Sequence, residues 1–121
     1  MEDRNRAAIA RIESGPQASQ AVIHNGIAHI VGVICPDGAL DAYAQAQFIL
    51  RRIDDLLAQC GTDKTRLVRG WLIATTAENR TLADKAWMEW LAGHGTPARV
   101  SMIAGLGMPH FKVEITVDAA I

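Results

Sequence analysis

A chain of 121 residues, half of them apolar, has room for one modest core and none for a second, so a single domain over residues 1–121 is expected. Its 12 basic and 13 acidic residues nearly cancel, which argues against binding to nucleic acid or an anionic membrane and favours a small-molecule or protein partner. Apolar runs such as residues 21–23 and 71–74 are far too short to cross a bilayer, and residues 1–12 alternate charge where a signal peptide needs an apolar block; a cytoplasmic location is expected.

In chain order, residues 8–12 can pair as a short strand before Gly15-Pro16 breaks the chain. Residues 20–24 and 27–33 then flank Asn25-Gly26, a strong hairpin signal because both central residues of a type I′ turn need positive φ. Residues 35–38, Cys-Pro-Asp-Gly, form a turn. From Asp41 the residues Tyr43, Ala46, Ile49, Leu50, Ile53, Leu56, Leu57 and Cys60 recur at threes and fours, the stripe of an amphipathic helix, and Gly61 supplies its C-terminal cap. Cys35 and Cys60 lie in separate segments with no CxxC spacing and read as reduced thiols.

Residues 67–74 read as a strand buried on much of both faces. A second helix follows, capped by Thr81 or Asn79, with Leu82, Ala83, Ala86, Trp87, Trp90 and Leu91 as its buried stripe and Gly93 at its end. Residues 98–103 and 112–117 are the closing strands; in the latter Val113, Ile115 and Val117 alternate against Lys112, Glu114 and Thr116. The order ββ(β)αβαββ needs crossover connections, so the expected fold is α+β, a mixed sheet with both helices on one face. A short chain with three tryptophans and a sheet bare on one face is expected to associate.

Residues 19–26, Gly32, the Trp87-centred helix, Pro97-Ala98-Arg99, and Lys112-Val113-Glu114-Ile115 followed by Ala119-Ala120 together resemble the RidA/YjgF family from about Ala18 to the C-terminus. Ala92-Gly93-His94, together with Ala104-Gly105-Leu106 and Pro109, is most similar to the YoaB-like branch. The resemblance implies a chorismate-mutase-like (YjgF-like) α+β subunit, assembled as a homotrimer with ligand clefts between neighbouring subunits. It also implies hydrolytic deamination of reactive 2-imino or enamino acids to 2-keto acids and ammonia, without a cofactor.

Arg99 matches the family arginine that grips the substrate carboxylate, a role suited to a guanidinium with parallel N–H donors. Glu114 matches the glutamate that positions the attacking water, and a carboxylate within reach can also carry the proton to the departing amine. A simple hairpin about Leu106-Gly107 would set Arg99 directly across from Glu114. The family fold instead places the last strand inside the sheet, so the two would converge through the subunit interface.

Four positions depart from better-known deaminase members. Ala18 replaces an aromatic that covers the ligand, and Val31 replaces a serine, so the cleft should be more open and less polar. Asp84 stands where many members carry asparagine, adding negative charge near the carboxylate site. Ser101, in place of a cysteine, keeps a hydrogen-bond donor but loses a thiol. Ala18, Val31 and Asp84 support the alternative of a non-catalytic trimer that binds small carboxylate metabolites as a sensor or interaction module.

His24, His29, His94 and His110 lack the paired spacing of metal ligands, and no metal site is expected. Trp87 and Trp90 read as core or interface packing rather than a base-stacking platform, and Gly105-Leu106-Gly107 is too short to cradle a phosphate. Ribonuclease activity, a label often attached to the family, gets little support from a chain without basic excess.

Overall fold

The computed structural model describes residues 8–121, so the first part of the charged leader, read above as lacking signal-peptide character, lies outside the described residues. The chain folds as β1 (Ala10–Ser14), β2 (Ser19–His24), β3 (Ile27–Ile30), β4 (Val33–Ile34), α1 (Ala42–Gln59), a 3₁₀ turn (Lys64–Arg66), β5 (Leu67–Ala74), α2 (Ala77–Leu91), β6 (Ala98–Ile103) and β7 (Val113–Ala120). Among the described residues seven strands form one sheet in the order β1-β2-β3-β7-β5-β6, with β4 also on β7. β7 runs antiparallel to β3, β4 and β5, whereas β5 and β6 are parallel and joined through α2. The fold is thus the mixed α+β sheet with two helices that the element order predicts, and β7 lies inside the sheet rather than beside β6.

Local signals set most of the boundaries. Asn25 and Gly26 take φ of 52° and 75°, which closes the β2–β3 hairpin. Asp41 caps α1 by accepting from the Ala44 N–H at 2.8 Å, and Gly61 beyond its end has φ of 79°. The α1 stripe Ala46, Ile49, Leu50, Ile53, Leu56 and Leu57 packs on Leu72 of β5 and on Val113, Ile115 and Val117 of β7 to form the core. Trp87 is buried; Trp90 stacks near it, with centroids 5.7 Å apart, and donates from Nε1 to the Asp54 carboxylate. Both tryptophans are therefore packing residues, and both cysteines are free and buried. Among the described residues no helix is long and apolar enough to cross a membrane.

Three expectations need correction. α2 is capped by Thr76, whose Oγ1 accepts from the Asn79 N–H at 3.0 Å, and not by Thr81 or Asn79. Thr81 lies inside the helix and donates back to the Ala77 carbonyl, while the Asn79 side chain donates to Thr75 Oγ1. The strand expected over residues 27–33 breaks at Val31-Gly32: the Val31 N–H stays with the Gln20 carbonyl, while Val33 and Ile34 move across to pair with Ile115 and Glu114. Finally, β5 is buried on one face only. Gly70, Leu72 and Ala74 lie under the helices, whereas Trp71 on the opposite face is 38% exposed, because both helices cover the same side of the sheet.

Candidate functional site

Strand alternation and register decide which candidate side chains can meet. Arg99 of β6 pairs in register with Gly70 of β5, which faces the helices. Above Gly70 lies Trp87 of α2, so close that a Cβ on Gly70 would fall 2.7 Å from the indole Cη2. The missing side chain lets the ring lie down on the sheet. The Arg99 guanidinium then sits 5.6 Å from the Trp87 ring centroid, within cation–π range.

Asp84 precedes Trp87 by three residues and so projects from the same side of α2. Its Oδ1 accepts from Arg99 Nη1 at 2.6 Å, a short charge-assisted bond between side chains that are 25% (Arg99) and 30% (Asp84) exposed. This is the one hydrogen bond Arg99 makes among the described residues, so most of its five N–H donors remain available. Ser101 shares the face of Arg99 two residues along β6, and its Oγ is buried without a partner among the described residues. A buried hydroxyl in that state costs about 1–3 kcal/mol.

Glu114 lies elsewhere. In β7 it registers with Ile73 of β5 and Ile34 of β4, and because Val113 and Ile115 point into the core, Glu114 points to the helix-free face. The direct pairing of Arg99 with Glu114 across a hairpin does not exist: β5 lies between their strands, and the two side chains occupy opposite faces of the sheet. Within one protomer the fold gathers Arg99, Asp84, Trp87 and Ser101, and leaves Glu114 apart.

The break at Gly32 makes room for Glu114. A Cβ on Gly32 would stand 2.7 Å from Glu114 Oε2, so the carboxylate is laid across a glycine floor. Beside this floor is a hollow of about 360 Å³ lined by Gln20, Val31, Gly32, Phe48 and Arg52 among others. Gln20 also borders a second hollow of about 420 Å³ that includes Ala18. The two departures Ala18 and Val31 therefore line adjoining hollows.

Gln20, Phe48 and Arg52 were not singled out from the sequence, because nothing local marks a polar or exposed residue as facing a hollow two elements away. Arg52 is already engaged, donating at 2.9 Å to both Glu13 and Asp55. Hydrogen bonds from Gln59 and Arg52 hold the Glu13 carboxyl below its usual pKa. His29 meets Asp118 at 2.9 Å, and among the described residues no three His, Cys, Asp or Glu side chains gather closely enough to hold a metal ion.

The chain matches the family described as endoribonuclease L-PSP over residues 8–121. It is similar to a RutC family protein of Haemophilus ducreyi, 38% identical over 113 residues that cover 93% of this chain and 97% of the relative. It is similar also to the RutC family protein YoaB of Escherichia coli, 32% identical over 114 residues covering 93% and 98%. Among solved structures, the YjgF family protein NMB1025 of Neisseria meningitidis superposes with a TM-score of 0.88 at 30% identity, covering 93% of this chain and 94% of that one.

Proposed function

The chain belongs to the RidA/YjgF family, and from that membership we propose that it is a deaminase-type hydrolase acting on small 2-imino acids at clefts between the protomers of a homotrimer. The observation that carries this reading is the Arg99 guanidinium, seated on Trp87, a quarter exposed, with donors to spare. It grips the substrate carboxylate. Because Glu114 lies on the opposite face, it reaches this substrate only from a neighbouring protomer.

Glu114 accepts a proton from water as the oxygen attacks C2 of the protonated imine, giving a neutral carbinolamine. It then returns that proton to nitrogen, and as the C–N bond breaks the hydroxyl proton passes back to Glu114, so that a 2-keto acid and ammonia leave. The imine is already electrophilic, so the reaction needs no cofactor. Ala18 and Val31 give the cleft an open, weakly polar mouth, and reduced buried thiols fit a cytoplasmic setting.

The test is to generate 2-iminopropanoate or 2-iminobutanoate in a coupled assay and to follow its decay with wild type, Arg99→Ala and Glu114→Ala. Wild type should accelerate decay and both variants should lose that acceleration; decay no faster than in buffer sinks the deaminase reading.

A second reading, a non-catalytic trimer that binds small carboxylates, draws on the Asp84 side chain already bonded to Arg99. It predicts Arg99-dependent binding of 2-keto acids in calorimetry without any turnover. RNA cleavage is disfavoured by a near-neutral charge balance, since phosphate contacts depend on an excess of Lys and Arg.

A further inference from the structure

We propose that Asp84 and Arg99 act together as a reader of zwitterions, so that this site selects ligands bearing a cationic nitrogen next to their carboxylate over plain carboxylates. The inference rests on the reading of Arg99 as a carboxylate clamp and names the charge state of what it clamps.

The geometry supplies the argument. Asp84 Oδ1 is bonded to Arg99 Nη1 at 2.6 Å, while Asp84 Oδ2 accepts no hydrogen bond among the described residues. Trp87 closes one side of the guanidinium, and the pair's outer edge meets solvent, with exposures of 25% and 30%. That edge presents donors and an acceptor side by side.

A simple anion approaching Arg99 finds its charge already cancelled and a second carboxylate beside it, a like-charge contact. A zwitterion meets the same edge with its carboxylate on Arg99 and its N–H on Asp84, so that four charges alternate around a ring. In a 2-amino or 2-iminio acid the nitrogen and the carboxylate sit on adjacent carbons, which suits the close spacing of the pair.

For the proposed reaction, the protonated iminium is the species bound, and it is the more electrophilic form of the substrate. Hydrolysis removes the cation. The 2-keto acid left behind faces Asp84 as a bare anion and is released more readily than the substrate. Asp84 thus determines specificity without touching the attacking water.

Titration calorimetry on the intact assembly tests this with 2-aminobutanoate as the zwitterion and butanoate as the matched anion. Wild type should prefer 2-aminobutanoate by about tenfold or more, the scale of one relieved like-charge contact. Asp84→Asn should erase or reverse that preference, and Arg99→Ala should weaken both ligands. Equal wild-type affinities overturn the proposal, as does binding of neither ligand or a preference unchanged in Asp84→Asn. Should Asp84→Asn fail to fold, the wild-type preference alone decides. If Arg99→Ala keeps full affinity for both ligands, the clamp itself is wrong; if Arg99→Ala loses binding while the preference ignores Asp84, only the zwitterion reader fails.

Discussion

Replacing Gly32 by alanine separates function from stability at the glutamate half of the site. The backbone at Gly32 lies outside the left-handed region, so alanine is conformationally allowed there, and restricting the unfolded chain contributes about 0.4–1 kcal/mol in its favour. Against this, the new Cβ would stand 2.7 Å from Glu114 Oε2, 3.0 Å from Cδ and 3.4 Å from Cγ. Those atoms are the far end of a flexible side chain, so the carboxylate swings aside at a rotamer cost of about 0.5–1.5 kcal/mol. The two terms nearly cancel, and the melting temperature should stay within a few degrees of wild type. Catalysis should not survive so easily, because moving a reacting group by about 1 Å costs on the order of 100-fold in rate. Coupled imine hydrolysis and thermal melts at equal protein concentration measure both quantities. Activity within about twofold of wild type would refute the placement of Glu114 as the water-directing group.

Gly70→Ala should show the opposite signature. Its Cβ would meet the indole of Trp87, a ring only 5% exposed and unable to yield, so stability should drop by about 1–3 kcal/mol and the urea midpoint should fall; an unchanged midpoint contradicts the packing. Gln45, fully buried in α1, donates to the Asp37 and His110 carbonyls at 3.1 and 2.9 Å and accepts from the Lys112 N–H at 3.0 Å. Gln45→Leu strands those backbone groups and should cost about 2–4 kcal/mol in urea unfolding, whereas a negligible loss would mean that water replaces the amide. Burial pushes the Cys60 thiol above its usual pKa, so the unfolded chain ionises first. That contribution to stability is complete below the unfolded value of about 8.5 and is lost as pH rises through the folded one. Denaturation midpoints at about pH 7 and about pH 10 should therefore diverge more for wild type than for Cys60→Ala, and equal divergence would exclude the thiol as the cause.

What the sequence reveals directly is what neighbouring residues decide among themselves. Asn25-Gly26, the three-and-four spacing from Ala46 to Leu57, and the limits of β5 all depend on contacts within a few residues, and all appear in the structure as expected. The cap of α2 was misplaced because Thr76, Asn79 and Thr81 are all chemically suited, and only the path of the chain out of β5 selects Thr76. Gln45 escaped notice because a polar residue beside an apolar stripe ordinarily faces water, and its three partners lie on loops near Asp37 and His110.

The site was legible as residue types and illegible as geometry. Arg99 and Glu114 are assigned by family resemblance, yet their separation onto two faces follows from the register through β5, which lines Arg99 up with Gly70 and Val117 and so puts it on the face opposite Glu114, a non-local fact. The Asp84–Arg99 bond needs α2 to lie over β5, next to β6; the sequence places Asp84 near the carboxylate site by resemblance, but the bond itself follows from Trp87, three residues on, resting above Gly70 of β5.

The claim on which the rest depends is that a working cleft takes its arginine from one protomer and its glutamate from the next. It is tested most directly by refolding Arg99→Ala and Glu114→Ala together in equal amounts, with wild type refolded alone as the reference, and measuring imine hydrolysis. Random assembly gives about a quarter of the interfaces an intact Arg99 facing an intact Glu114, and activity should return to that fraction of wild type from two inactive parents. A mixture as inactive as either variant by itself would contradict the shared site.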